Sequence, residues 1–153
     1  MILDRRNAFI RMVAAASAGL VASRATGAAA ATPASSGVPN VVYHLSDADK
    51  VAFVLGNIDN HFKGMGGTDK VHIALVAHGP ALMAFKTGRA DAALTTHLAA
   101  LAAKGVDLGA CGNTLDAQKL AVGDLLPGFT RIDEGGVVRL AKLQAEGYAY
   151  LRP

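Results

Sequence analysis

The apolar run Val71–Ala77, broken only by His72, is the feature that most restricts the fold of this chain. A strand without polar alternation is typical of a parallel sheet that is covered on both faces. Shorter apolar segments precede and follow this run, and stretches with helical spacing separate them. Strands that alternate with helices predict a parallel sheet with right-handed crossovers and helices on both faces.

The predicted elements are short and evenly distributed. Spacing predicts five strands, at Asn40–Leu45, Val71–Ala77, Val106–Ala110, Phe129–Ile132 and Tyr148–Leu151. Apolar side chains recur every three or four residues between them, which predicts amphipathic helices. They are Val51, Val54, Leu55, Ile58 and Phe62 in the first helix, Leu94, Leu98 and Leu101 in the second, and Val137, Leu140 and Leu143 in the last. We therefore expect one α/β domain over residues 40–153.

Side chains that can cap helix N-termini precede three of the predicted helices. Ser46 and Asp49 have the spacing of a capping box before the first helix. Asp91 precedes the second helix, and Asn113 predicts a helix that begins shortly after the third strand.

The first 31 residues have the composition of an export signal rather than of a folded domain. Arg5 and Arg6 stand near the start, and Phe9 follows after two intervening residues. The mildly apolar run that comes next is shorter than the roughly 20 residues that span a bilayer. We interpret 1–31 as a signal peptide that resembles the twin-arginine type and 32–39 as a linker, which predicts a periplasmic protein. An uncleaved tail is the alternative.

The positive net charge of the chain comes entirely from that segment. Residues 1–31 contain four arginines and one aspartate, which accounts for the whole charge of +3. The rest of the sequence is neutral and has no cluster of lysine and arginine with interleaved aromatic residues. Because such clusters are typical of nucleic-acid binding, we expect no nucleic-acid partner. We also expect no stable membrane span after cleavage.

Cys111 is the only cysteine, so no disulfide can form within the chain. In an oxidising compartment a lone cysteine is buried, paired between chains, or a working thiol. Its position between a predicted strand end and a predicted helix start favours the thiolate, because helix N-termini carry partial positive charge. Burial as a small apolar side chain is the alternative, and spacing alone does not decide between the two.

Two histidines follow predicted strands in the same way as Cys111. His44 lies at the end of the first strand, and His78 follows the second. Open parallel sheets bind ligands outside the carboxyl ends of their strands, so a strand order of 2-1-3 would make the three side chains neighbours. We predict Cys111 as the reactive group, with His44 and His78 as candidates for supporting its thiolate or relaying its proton.

Other site chemistry has less support in the sequence. Gly79, Gly112 and Asn113 flank the candidate side chains, and we expect them to line the substrate site. Zinc accepts histidine and cysteine ligands, but no paired ligand spacing supports a metal site. The glycine-rich stretch at Gly64 follows a predicted helix and lacks the lysine of a phosphate-binding loop. We therefore expect no metal and no cofactor.

Four short segments together resemble one known family. They are the helix Leu55–His61, the strand exit Val76–Leu82, the segment Gly105–Leu115 and the ending Leu143–Tyr150. In this order and spacing they resemble the DsrE/DsrF-like (YchN-like) family of small sulfur-relay proteins, over Val41–Pro153. The resemblance implies a flavodoxin-like three-layer α/β/α sandwich with a mostly parallel sheet of about five strands. It also implies assembly as a homo-oligomer, a trimer or a hexamer.

The resemblance further implies a role for Cys111. Sulfur-relay members of the family carry a persulfide on a cysteine after the third strand, and Cys111 matches that position. The first hypothesis is therefore a sulfur carrier that receives sulfur from a donor and yields it to an acceptor thiol. Sulfurtransferase activity is compatible with this role and is left open. The second is a non-catalytic oligomeric module that binds a small ligand or a protein at the same edge, with Cys111 structural.

Overall fold

The computed structural model describes residues 37–153, so the predicted signal peptide and most of the predicted linker lie outside the described residues. The sheet has five strands, numbered here in chain order. They are β1 (Asn40–Leu45), β2 (His72–Ala77), β3 (Asp107–Cys111), β4 (Phe129–Ile132) and β5 (Ala149–Leu151). Each strand lies within one residue of the segment that the apolar spacing predicts.

All neighbouring strands run parallel, in the order β4-β3-β2-β1-β5. The order 2-1-3, which would have made all three strand ends neighbours, is not found, because the first three crossovers each join adjacent strands and leave β2 between β1 and β3. After β4 the chain returns across the sheet and places β5 beside β1. The ends of β2 and β3 are therefore adjacent, whereas β2 separates the end of β1 from the end of β3.

Helices cover both faces of the sheet. One face carries α1 (Val51–Met65), α2 (Ala92–Ala103) and α3 (Gly112–Ala117), and the other carries α4 (Gly136–Ala145). Three crossovers of the same hand in one direction put their helices on one face, and the reversal before β5 puts α4 on the other. The result is a flavodoxin-like α/β/α sandwich. Within residues 37–153, none of the helices has the length and apolar character needed to cross a bilayer.

The two faces of the sheet bury cores of different size. The larger core includes the side chains of α1 that the spacing predicts, Val51, Val54, Leu55, Ile58 and Phe62. The smaller core joins Leu140 and Leu143 of α4 to Val76 of the sheet. The prediction that Val137 faces the core is wrong, since its side chain is 70% exposed. The buried face of α4 is formed by Gly136, Leu140 and Leu143, and Val137 projects from the helix outside that face.

β2 owes its apolar sequence to its central place in the sheet. Leu75 and Ala77 belong to the larger core, and Ala74 and Val76 belong to the smaller one. His72 starts the strand and is exposed. Polar residues are therefore excluded from the interior of β2 on both of its faces.

The predicted helix caps are partly confirmed. Asp91 caps α2, because its carboxylate accepts a hydrogen bond from a first-turn backbone N–H at 2.7 Å. The capping box of Ser46 and Asp49 is wrong, because a 3-10 helix, Ala48–Lys50, precedes α1 and has no side-chain cap. The Ser46 hydroxyl instead accepts a hydrogen bond from the Arg152 guanidinium at 2.9 Å.

Candidate functional site

Cys111 is both the last residue of β3 and the residue that precedes α3. Because α3 begins at Gly112, Cys111 itself occupies the N-cap position. The prediction that Asn113 caps this helix is wrong, since the chain turns from strand to helix without an intervening loop. The side chain of Cys111 is buried, with 5% of the residue exposed.

The Cys111 sulfur accepts a backbone hydrogen bond in spite of its burial. The backbone N–H of Gly136, in the first turn of α4, donates to Sγ at 3.1 Å. Burial acts to raise the pKa of the Cys111 thiol. Hydrogen bonds from the Thr114 hydroxyl and from the backbone of Gly136, Thr114 and Asn113 outweigh burial, so the pKa lies below its ordinary value. The thiolate is therefore stabilised by donors at the starts of α3 and α4.

The backbone of Gly136 can approach Cys111 closely because glycine has no side chain. A Cβ placed at Gly136 would lie 3.3 Å from Cys111 Cβ and 3.5 Å from His78 Cβ. The first distance is tight and the second is ordinary van der Waals contact, so the backbone of Gly136 packs against these two side chains at once. Cys111 and His78 therefore lie under the same turn of α4.

His78 is the neighbour of Cys111 across the sheet. Ala77 pairs with Ala110 in the parallel register, so His78 and Cys111 are the next residues along their two strands. Neighbouring strands lie about 4.8 Å apart. The alternation of side chains puts both residues on the face that α4 covers.

His44 contacts His78 rather than Cys111. Their rings meet end to end, with centroids 4.7 Å apart, planes at 20° to each other and the two Nε2 atoms 2.5 Å apart. His44 Nδ1 also lies 2.5 Å from the Tyr150 hydroxyl. Three adjacent strands thus contribute one hydrogen-bonded group of side chains, which ends beside the thiol.

Both histidines are held in their neutral form. Burial, followed by His78 and Arg152, lowers the pKa of His44 to about 4, against an opposing effect of Asp47. Burial and then Arg152 also lower the pKa of His78. Arg152 and Asp47 form an ion pair at 3.5 Å, so the fixed charges beside the histidines act on them in opposite directions.

Thr114 links the thiol to the exit of β2. The backbone N–H of Gly79 donates to the Thr114 hydroxyl oxygen at 3.0 Å. The Gly79 carbonyl accepts a hydrogen bond from the Gln118 amide, also at 3.0 Å. Gly79 has a φ of +58°, which favours glycine. The strand exit of β2 is therefore tied to α3 through both the N–H and the carbonyl of Gly79.

The three predicted substrate neighbours have different surroundings. Gly112 is buried, and a Cβ there would lie 2.8 Å from the Ile132 carbonyl oxygen. Asn113 is exposed, and its amide lies under Gly135. Gly79 is half-buried and bonded to Thr114. All three lie around the carboxyl edge of the sheet, and their contact with a substrate stays a prediction.

The groups beside Cys111 suit thiol chemistry. Within residues 37–153, no group of three or more histidine, cysteine, aspartate or glutamate side chains is arranged to hold a metal ion. A low-pKa thiol beside neutral imidazoles can act as a nucleophile and exchange protons with its neighbours.

Four participants in this site did not emerge from the sequence reasoning. They are Thr114, Gly136, Tyr150 and Arg152. The adjacent glycines 135 and 136 after the fourth strand were an available signal, since paired glycines at a strand exit often permit close backbone approach. Tyr150 and Arg152 reach the site only because β5 pairs with β1, which the sequence does not specify.

Comparison with protein families gives a match over nearly the whole chain. The model described as the DsrE/DsrF-like family matches residues 15–153. No curated protein sequence matches significantly.

Several solved structures share the fold. A protein of unknown function from Methanobacterium thermoautotrophicum is 29% identical, covers 75% of this chain and 99% of its own, and gives a TM-score of 0.66. The ychN protein of E. coli is 18% identical with the same coverage and a TM-score of 0.61. A conserved protein of unknown function from Bacteroides thetaiotaomicron is 16% identical, covers 74% of this chain and 94% of its own, and has a TM-score of 0.58.

Proposed function

Because this chain belongs to the DsrE/DsrF-like family, which is associated with sulfur relay, we propose that it is a sulfur carrier whose Cys111 holds a persulfide. The observation that carries the proposal is the hydrogen bonding of the Cys111 sulfur. Donors from two helix starts lower the pKa of its thiol although burial opposes them. A purely structural cysteine in an apolar core would have a raised pKa instead.

The proposed reaction needs one nucleophilic thiolate and no cofactor. The Cys111 thiolate attacks the outer sulfur of a persulfide or polysulfide donor, and the S–S bond of the donor breaks. The outer sulfur is then bonded to Cys111, and the donor leaves as a thiolate or a shortened polysulfide. An acceptor thiolate later attacks the same outer sulfur and restores the Cys111 thiolate. The backbone donors of Gly136 and Asn113 would stabilise the thiolate before and after each transfer.

The direct test is the mass of the intact protein after incubation with polysulfide, before and after treatment with a reducing agent. We expect a gain of one or more sulfur atoms that the reducing agent removes. The Cys111→Ser variant is the matched control, since it keeps the size of the side chain and should fold normally. Loading of Cys111→Ser, or no loading of the parent protein, would contradict the proposal.

The burial of Cys111 favours a second candidate function. With 5% of the residue exposed, Cys111 can serve as a small apolar side chain in a non-catalytic module that binds a ligand or a protein. Alkylation of the native protein separates the two functions. A structural cysteine reacts only after unfolding, whereas the carrier function requires reaction with a small reagent under native conditions.

We also propose that the protein acts in the periplasm after export by the twin-arginine route. The support is the sequence of residues 1–31, with its paired arginines and short apolar run. Cell fractionation, with Arg5 and Arg6 both changed to lysine as the control, tests this proposal. Retention of the parent protein in the cytoplasm would contradict it.

Assembly as a trimer or hexamer completes the proposal. α4 is the only helix on its face among the described residues, and a groove of about 360 Å³ stays open beside it. Its lining includes Ala74, Gly109 and Thr130 of the sheet. A second copy of the chain would cover this surface, and light scattering of the purified protein measures the number of copies. A monomer at micromolar concentration would contradict the proposal.

A further inference from the structure

A continuous chain of hydrogen bonds leads from the protein surface toward Cys111. Tyr150, which is 38% exposed, bonds to His44 Nδ1, and His44 Nε2 bonds to His78 Nε2. Among the residues that the structure describes, no hydrogen bond engages His78 Nδ1. His78 is in turn the strand neighbour of Cys111. This series of hydrogen bonds therefore has one end at an exposed tyrosine and the other at His78, the strand neighbour of Cys111.

This chain of bonds can point in either direction, because the heavy atoms do not fix the hydrogens. In one direction Tyr150 donates to His44, His44 donates to His78, and Nδ1 of His78 carries a hydrogen. In the other direction His78 donates to His44, His44 donates to Tyr150, and Nδ1 of His78 is an acceptor. Both arrangements leave each imidazole neutral. A change of direction moves one proton between solvent and the thiol side without creating a buried charge.

On the basis of the proposed sulfur-carrier function, we propose that Tyr150, His44 and His78 form a proton relay for sulfur transfer at Cys111. The relay protonates the thiolate that leaves the donor, and it accepts the proton of the acceptor thiol in the second half of the reaction. The substrates that need such a relay are alkyl persulfides and alkyl thiols, whose thiolates are basic and leave slowly.

The first half of the reaction balances as follows. The Cys111 thiolate forms an S–S bond to the outer sulfur of R–S–SH, and the S–S bond of the donor breaks with its electron pair on R–S⁻. R–S⁻ takes the proton of His78 Nδ1, His78 takes one from His44, and His44 takes one from Tyr150. Tyr150 regains a proton from water. The products are Cys111–S–SH and R–SH, and no oxidant or reductant is consumed.

The second half reverses the relay. The acceptor A–SH gives its proton to Nδ1 of His78. Protons then shift from His78 to His44 and from His44 to Tyr150, and Tyr150 releases one proton to water. The thiolate A–S⁻ attacks the outer sulfur of Cys111–S–SH, which yields A–S–SH and the Cys111 thiolate. One proton enters and one leaves in a complete cycle.

The charges around the relay fit this neutral role. The groups that face it are Arg152, which follows β5, and Asp47, which follows β1, and these two pair with each other. On the side of α4, Gly136 packs against the Cβ of His78 and brings no charge. The lowered pKa values of both histidines keep them unprotonated at pH 7.

The test compares the rates of Cys111 loading from two donors in the full chain. Glutathione persulfide releases an alkyl thiolate, whereas an aryl persulfide releases a thiolate that needs little protonation. We expect His78→Gln to slow loading from glutathione persulfide about 100-fold and Tyr150→Phe about tenfold. Both variants should load from the aryl persulfide at rates within about twofold of the parent. His72→Gln, an exposed histidine at the start of β2, is the matched control.

The outcomes separate the relay from the carrier function. If the parent protein loads but the variants load at the parent rate with both donors, the relay is wrong and the carrier function stands. Equal slowing with both donors means that the side chains only shape the site, which also overturns the relay. If the variants raise the half-saturating donor concentration and leave the maximal rate unchanged, these side chains bind the donor anion, and the relay is again overturned. If the parent protein does not load, both proposals fail. Tyr150→Phe keeps the ring of an exposed residue, so it tests the relay even where His78→Gln does not fold.

Discussion

The backbone N–H of Gly136 donates a hydrogen bond to Cys111 Sγ at 3.1 Å, which joins the start of α4 to the thiol that precedes α3. The two helices lie on opposite faces of the sheet, so their N-termini approach the same sulfur from different sides. Helix N-termini favour anions. The return of the chain after β4 therefore brings to Cys111 a donor that stabilises its thiolate.

Gly136→Ala should weaken this contact and raise the pKa of the Cys111 thiol. The new Cβ would lie 3.3 Å from Cys111 Cβ and 3.4 Å from Val76, so Cys111 and the start of α4 must move apart by a few tenths of an ångström. The pH dependence of alkylation by iodoacetamide measures the pKa, and we expect its midpoint to move upward from that of the parent protein. Gly123→Ala is the control, since a Cβ there meets nothing within 4 Å. An unchanged midpoint for Gly136→Ala would show that its N–H does not stabilise the thiolate.

Most of the fold was predictable because it depends on local patterns. The strand Asn40–Leu45 and the buried face of α1 follow directly from the spacing of apolar residues. The strand order was not predictable, because it depends on which strands become neighbours when the whole sheet packs. Nothing in the sequence of β5 indicates that it pairs with β1 rather than β4.

The same distinction applies to the site. Cys111, His44 and His78 were predictable because each lies at a strand end, and parallel strands end at one edge. Tyr150 bonds to His44 across 106 positions of sequence, and its place depends on the pairing of β5. The donor Gly136 depends on the return of the chain after β4. Contacts that depend on long-range pairing carry no local sequence signal.

Thr114→Val should raise the pKa of Cys111 and destabilise the protein. The hydroxyl of Thr114 stabilises the thiolate and accepts the backbone N–H of Gly79 at 3.0 Å. Valine keeps the shape of threonine but leaves that N–H without its acceptor, which costs about 1 kcal/mol. Urea unfolding and the alkylation midpoint measure the two effects. Thr114→Ser retains the hydroxyl and should restore both values, and a serine variant as defective as valine would mean that the methyl group matters instead.

The histidine pair should make stability fall in mild acid. The folded protein lowers the pKa of His44 from 6.5 to about 4, and it lowers that of His78 as well. The unfolded chain therefore binds more protons between pH 6.5 and about 4, so their contribution is complete above pH 6.5 and is lost as the pH falls.

Unfolding in urea at a series of pH values from 6.5 down to about 5 isolates this effect, because carboxylates titrate mostly below that range. We expect His44→Gln to reduce the dependence of the unfolding free energy on pH, because it removes one of the two groups whose pKa the fold lowers. A parent protein whose stability is constant over this range would contradict the prediction, since the histidines would then protonate equally in both states.

Two glycine-to-alanine substitutions in helices should change stability in opposite directions. Alanine favours a helix by about 1 kcal/mol relative to glycine. In α1 a Cβ at Gly56 meets nothing within 4 Å, so Gly56→Ala should stabilise the protein by about that amount. At Gly112 the Cβ would lie 2.8 Å from the Ile132 carbonyl oxygen, a backbone atom that cannot rotate away. We expect Gly112→Ala to destabilise the protein by about 1–3 kcal/mol because this overlap exceeds the gain in helix propensity.

The urea midpoints of the two variants measure these changes in stability. Gly56→Ala is the control, since it changes helix propensity without a steric overlap. Since Gly112 adjoins Cys111, the shift of α3 in Gly112→Ala should also displace the donors of Asn113 and Thr114 and raise the pKa of the thiol. Equal stabilisation by both substitutions would mean that β4 yields to the new methyl group. The start of α3 would then be less tightly packed against β4 than the contact with Ile132 indicates.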